Sequence, residues 1–156
     1  MDCLSELALD KTAIKELPLS VELLVGLTRF NLDDCKNLVS LPITMNGLKS
    51  LASLTLSGCS KHENLPETLG ELKRLRVLNV DCKRLQSLPE LSSNIQLIDV
   101  SGRTSLETLS NTLRLCNSNL SNISCGNCLK LTGCSNMAFS MLKEHLNKKA
   151  PNLREI

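Results

Sequence analysis

Apolar residues recur along the chain in a fixed frame, LxxLxLxx, closed by a small residue. Leu4-Ser5-Glu6-Leu7-Ala8-Leu9-Asp10-Lys11-Thr12 has this form, with Thr12 last. Leu27-Thr28-Arg29-Phe30-Asn31-Leu32-Asp33-Asp34-Cys35 and Leu51-Ala52-Ser53-Leu54-Thr55-Leu56-Ser57-Gly58-Cys59 repeat it, closed by cysteine. Each is followed by a Leu-Pro step, at Leu17-Pro18, Leu41-Pro42 and Leu65-Pro66, and a fourth step stands at Leu88-Pro89. Three later copies are looser. The fourth (Leu75, Leu78, Val80, Cys82) is one residue short before its cysteine; the fifth (Ile95, Ile98, Val100) has Arg103 in the cysteine place; the sixth runs through Leu120, Ile123, Cys125 and Cys128. The period is about 20–25 residues. The LxL alternation has period two, so every copy predicts a short strand with one buried face. Val21-Glu22-Leu23-Leu24, Leu48-Lys49-Ser50-Leu51 and Leu69-Gly70-Glu71-Leu72 carry apolar residues three apart and predict short helical turns. Proline at each Leu-Pro step fixes its own φ and holds the preceding residue extended, which turns the chain between the two.

Six copies exceed the roughly three that a stacked array needs to bury a continuous core. The expected fold is an α/β repeat solenoid, a leucine-rich repeat arc. Short parallel strands line its concave face, and turns or short helices its convex face. The array spans residues 1–134, and residues 135–156 form a C-terminal helix and tail. Ser135 or Asn136 caps a helix over 135–149, whose face carries Ala138, Met141, Leu142 and His145, with Pro151 beyond its end. It reads as a cap over the last repeat or as the start of a further domain.

Composition narrows the chemistry. The 156 residues include 34 leucines but only two aromatics, Phe30 and Phe139. Without aromatic platforms, base-stacking nucleic-acid modules are excluded as a class. The net charge of +2 leaves no electrostatic footprint for DNA or an anionic membrane. No apolar run is long enough to span a membrane, and the acidic start Met1-Asp2-Cys3-Leu4-Ser5-Glu6 does not read as a signal peptide. Eight cysteines in such a chain are expected to be reduced thiols. Cys35, Cys59, Cys82 and Cys128 share one slot of successive repeats, where a small weak donor can bond loop carbonyls. The alternative is zinc at Cys125, Cys128 and Cys134 with Cys116 or His145, but the repeat register alone generates that CxxC spacing. His62 occupies a slot filled by Leu38 and Leu85, so it reads as a packing residue. No phosphate-binding, dinucleotide or nucleophile-elbow motif occurs, so no enzyme activity, catalytic residue, metal or cofactor is expected.

The residues between the buried leucines are the ones free to meet a partner. One column holds Ala8, Asn31, Thr55, Asn79, Asp99 and Ser124. Beside it run Arg29, Asp33, Asp34, Arg76, Asp81, Gln96 and Asn122. Their types vary while the leucines stay nearly constant, and repeat arrays use such faces for binding. Arg29, Asn31, Asp33, Thr55, Arg76, Asn79, Gln96 and Asp99 are therefore the candidate protein-binding residues. Arg29 and Arg76 are the expected anchors, because arginine is enriched at hot spots.

These motifs carry a resemblance. Leu9-Asp10-Lys11-Thr12-Ala13-Ile14-Lys15-Glu16-Leu17-Pro18 resembles the repeats of plant TIR-NBS-LRR disease-resistance proteins. So do Asn31-Leu32-Asp33-Asp34-Cys35-Lys36-Asn37-Leu38 and Leu54-Thr55-Leu56-Ser57-Gly58-Cys59-Ser60-Lys61. Leu85-Gln86-Ser87-Leu88-Pro89-Glu90-Leu91 and Asn127-Cys128-Leu129-Lys130-Leu131 are similar to the end of that repeat region and the stretch after it. The resemblance implies a protein-recognition region of an intracellular immune receptor. Its partners would be a pathogen effector, a guarded host protein or other domains of a parent receptor. Its location would be cytoplasmic, with the nucleus as the alternative. The family's NAD-cleaving TIR and nucleotide-binding domains lie outside these residues, so neither activity nor nucleotide is carried over. The chain departs from the family pattern at His62, at Arg103, around Asp81 and at Ser92. The competing expectation is a stand-alone, truncated repeat adaptor or decoy without signalling activity, and the genomic sequence upstream of Met1 separates the two.

Overall fold

A computed structural model describes residues 4–100 and 122–124. Six three-residue strands follow one another: β1 (Glu6–Ala8), β2 (Arg29–Asn31), β3 (Ser53–Thr55), β4 (Val77–Asn79), β5 (Leu97–Asp99) and β6 (Asn122–Ser124). They pair in chain order in one all-parallel sheet. Each central residue sits opposite the next: Leu7, Phe30, Leu54, Leu78, Ile98 and Ile123 form one row. A strand together with the segment that returns to the next strand is one unit. The fold is compatible with an α/β arrangement with few helices.

The period-two alternation has its expected physical result. Leu54 and Leu56 are wholly buried while Thr55 between them stays half-buried on the opposite face. Leu32, Leu56 and Val80 are likewise buried, each one residue beyond its strand. Behind the strands the core is completed by Leu27, Leu51, Leu75 and Ile95 and by the returning Leu38, Leu41, Leu65, Leu69, Leu85 and Leu88. His62 is buried in its leucine slot, and its backbone N–H donates to the Cys59 carbonyl at 3.3 Å.

Two of the three expected helical turns are 3-10 helices, over Leu19–Leu23 and Glu67–Glu71. Both begin two residues earlier than leucine spacing indicates, because Pro18 and Pro66 precede them. Those prolines are extended (φ −68°, ψ 149° and φ −68°, ψ 140°), and their carbonyls accept the first turn's bonds from Val21 and Leu69 at 3.1 Å. Around Leu48–Leu51 there are only single turns, closed by Leu48 N–H to the Met45 carbonyl and Leu51 N–H to the Leu48 carbonyl.

The cysteine slot is a donor slot. The Cys35 thiol donates to the Leu9 carbonyl at 3.0 Å, Cys59 to Leu32 at 3.2 Å and Cys82 to Leu56 at 3.0 Å. Each of these three thiols therefore reaches back to the strand end of the unit before it and ties two units together. Thr12, in the first unit, bonds its own Leu9 carbonyl at 2.6 Å. The three cysteines are buried free thiols. Hydrogen bonding to the Cys82 thiol, then burial, pushes the Cys59 thiol far above its ordinary range, so it keeps the proton it donates. Arg103, the CxxC segment at Cys125 and Cys128, and the helix expected over 135–149 lie outside the described residues.

Candidate functional site

The sheet has one face packed on the core and one open face. In parallel strands, residues in register stack into columns across the sheet. The open face carries the column Ala8, Asn31, Thr55, Asn79 and Asp99, as expected from the repeat frame, and Ser124 is in register with Asp99. Four of its polar members, Asn31, Thr55, Asn79 and Asp99, are half-buried.

Three of them, Asn31, Thr55 and Asn79, are linked through Asp33 and Ser57. The Asn31 amide oxygen accepts from the Thr55 hydroxyl at 3.0 Å and from the Asp33 N–H at 2.9 Å. The Asp33 carboxylate accepts from the Ser57 N–H at 2.8 Å, and the Ser57 hydroxyl donates to the Asn79 amide oxygen at 2.7 Å. A polar surface held in this way is rigid, and a partner meeting it finds groups already oriented rather than groups it must order.

The second column differs from the grouping expected from sequence. Register places Arg29 with Glu6, Ser53, Val77, Leu97 and Asn122. Arg76 and Gln96 stand one residue before their strands, in the place of Thr28 and Ala52. Both are exposed. The physical reason is a one-position offset: Arg29 lies two residues after its leading leucine and Arg76 only one. Arg29 and Arg76 therefore flank the open face at different heights. The Arg29 guanidinium pairs with Glu6 at 3.3 Å, and both side chains are largely exposed, at 70% and 58%. Such a pair contributes at most about 1 kcal/mol and opens readily to a competing carboxylate.

Val77 and Leu97 were hidden by their apolar type. They stand side by side in β4 and β5, half-buried on the open face, between Arg76 and Gln96 on one side and Asn79 and Asp99 on the other. The signal that finds them is positional: each immediately precedes a buried central residue, Leu78 or Ile98, and so faces outward. Asp10, Asp33 and Asp81 follow the strand ends of their units, with Ser57 in the third. The open face thus runs from arginine at the strand starts to carboxylate at the strand ends, with an apolar pair toward β5.

No protein-family model matches the chain. Nor is it significantly similar to any curated protein. Among the described residues no group of three or more His, Cys, Asp or Glu side chains is placed to hold a metal ion. No helix among them is long and apolar enough to cross a membrane.

Proposed function

We propose that the chain is a non-enzymatic protein-recognition module, a leucine-rich repeat arc of the kind carried by intracellular immune receptors of plants. Its role is effector recognition, restraint of a parent receptor, or both. The observation that carries this reading is the division of labour in the sheet. One face spends its leucines on the core, and the other presents an in-register, pre-ordered polar column whose residue type changes at every strand. Structure constrains the first set and leaves the second available for specificity. The repeat motifs quoted above, with their cysteine slots and Leu-Pro steps, support the family reading, and the cytoplasm is the proposed location.

Arg76 is the preferred anchor, beside the Val77–Leu97 pair, with Arg29 second because Glu6 already engages it. The test is the double substitution Arg29→Glu with Arg76→Glu, used to capture partners from plant leaf extract and scored in a cell-death assay. Both side chains are exposed, so the variant is expected to fold. Partner binding is expected to fall at least about tenfold, as for loss of a hot spot. Unchanged binding in a folded double variant removes the two arginines as anchors.

A further inference from the structure

We infer that the edge from which strands β3, β4 and β5 start docks an acidic segment of a protein partner, held by Lys49, Lys73, Arg74 and Arg76. This rests on the recognition role proposed for the open face and names the chemistry of its partner.

The chain enters each of these strands through the same turn. The Leu51 N–H donates to the Leu48 carbonyl at 3.1 Å, Leu75 to Leu72 at 3.1 Å and Ile95 to Ser92 at 3.2 Å. Inside the turns lie Lys49-Ser50, Lys73-Arg74 and Ser93-Asn94. Leu48, Leu51, Leu72 and Leu75 turn inward and are buried, so the residues between them are pushed outward. Lys49, Lys73 and Arg74 are exposed, and so is Arg76, the next residue after the second of these turns.

The turns stack on one another. The Asn94 Nδ2 donates to the Lys73 carbonyl at 2.8 Å, and neighbouring strands of a sheet lie about 4.8 Å apart. Lys49 and Lys73 hold the same place in adjacent turns, with Arg74 and Arg76 beside them. Four cations thus share one edge, an arrangement that costs stability through self-repulsion. No ion pair among the described residues involves any of the four. The opposite edge, beyond the strand ends, is mixed in sign: Asp10 adjoins Lys11, and Asp34 and Asp81 stand two residues from Lys36 and Lys83. The net charge of +2 is therefore unevenly spread, and the strand-start edge of these units is its positive side.

Charge alone admits any polyanion, and the neighbouring residues select among them. Val77 and Leu97 stand in register immediately after Arg76 and Gln96, half-buried on the open face. An occupant that reaches from the turns onto that face meets cations first and an apolar pair next. A nucleic-acid backbone has no aliphatic group for that pair, and Phe30, the aromatic ring of the described residues, is buried and cannot stack a base. A polypeptide carrying several carboxylates and an adjacent aliphatic side chain satisfies both parts. Its carboxylates can take paired bonds from Arg74 and Arg76.

Fluorescence anisotropy on the full chain tests this with a dye-labelled peptide of Glu and Asp around one leucine. Its analogue with Gln and Asn, and an oligothymidylate, serve as controls. The acidic peptide is expected to bind with a dissociation constant on the order of 10 µM, at least about tenfold tighter than either control. Its binding is expected to weaken severalfold as salt rises from about 0.05 to about 0.2 M. Combining Lys49→Glu, Lys73→Glu and Arg74→Glu is expected to weaken it at least about tenfold with circular dichroism unchanged. Should that variant fail to fold, Lys49→Gln with Lys73→Gln removes two charges without reversing them and is expected to weaken binding about threefold. Equal binding of the acidic peptide and its amide analogue would overturn the inference, as would equal binding of the oligothymidylate, or binding indifferent to the folded variants. Partner capture that is lost in the Arg29→Glu with Arg76→Glu variant but unchanged in the turn variants overturns this inference alone; capture unchanged in both removes the arginine anchors as well.

Discussion

Lys11, Asp34 and Gly58 occupy the same turn position in three successive units, two residues after the inward leucines Leu9, Leu32 and Leu56, with φ of 58°, 58° and 76°. Each turn is closed by the next residue's N–H onto that leucine's carbonyl, Thr12 to Leu9, Cys35 to Leu32 and Cys59 to Leu56. The third turn residue must be left-handed, which glycine adopts without strain and lysine or aspartate does not. Asp34→Gly is therefore expected to stabilise the chain by about 0.5–1 kcal/mol in urea titration. Gly58→Ala is expected to destabilise it, since its new Cβ also runs into the Asp34 carboxylate. The fourth unit has no such residue: Cys82 N–H bonds Val80 directly at 2.7 Å. The one-residue gap visible in the sequence around Asp81 is the loss of the left-handed position, and the thiol still reaches its carbonyl. The neighbouring cysteines carry a second residue-scale consequence. Cys59 holds its proton when folded, because the Cys82 thiol and burial both favour the neutral form. An unfolded cysteine loses its proton above about pH 8.5. The unfolded state then binds fewer protons than the native state, so this thiol's stabilisation is complete below that pH and declines above it. The decline is about 1.4 kcal/mol per pH unit. Cys59→Ser is expected to remove that slope in denaturation curves between about pH 8 and 10, at a cost near neutrality of roughly 1 kcal/mol.

At the scale of the strand, inward and outward residues do different work, and substitution separates them. Leu56→Ala opens a cavity at a wholly buried site and is expected to cost about 2–5 kcal/mol. Thr55→Ala, one position away, loses the hydroxyl bond to Asn31 and is expected to cost only about 1 kcal/mol in the same thermal or urea experiment. Equal losses at the two positions would break the inward–outward division. The strands were legible in the sequence because LxL alternation has the strand period and nothing competes with it over three residues. The helical turns were less so: spacing of Val21, Leu24 and Leu69, Leu72 marked the right regions, but Pro18 and Pro66 set where the turns start. The hydrogen-bond chain from Thr55 through Asn31 and Asp33 to Ser57 and Asn79 was not legible at all. It depends on which side chains fall opposite each other across neighbouring strands, and register is a property of the folded sheet. The same limit hid Val77 and Leu97, whose exposure follows from position in the pleat and not from residue type.

Across the whole molecule, parallel strands added in chain order produce two kinds of surface at once. The core is continuous because each unit covers the last, and the thiols stitch unit to unit by bonds from Cys35 to Leu9, Cys59 to Leu32 and Cys82 to Leu56. The open face inherits a graded chemistry, arginine at strand starts and carboxylate beyond the strand ends, with Val77 and Leu97 side by side at the starts of β4 and β5. A partner that recognises the chain by this face must touch several strands, since no single unit offers more than two or three side chains. The most direct measurement is backbone hydrogen exchange, read by mass spectrometry, on the full chain alone and bound to a partner captured through it. Added protection is expected over residues 28–33, 52–57, 76–81 and 96–100, the strands and their flanks. Protection confined to residues 17–25, 42–49 and 66–74, on the return segments, would contradict recognition by the open face.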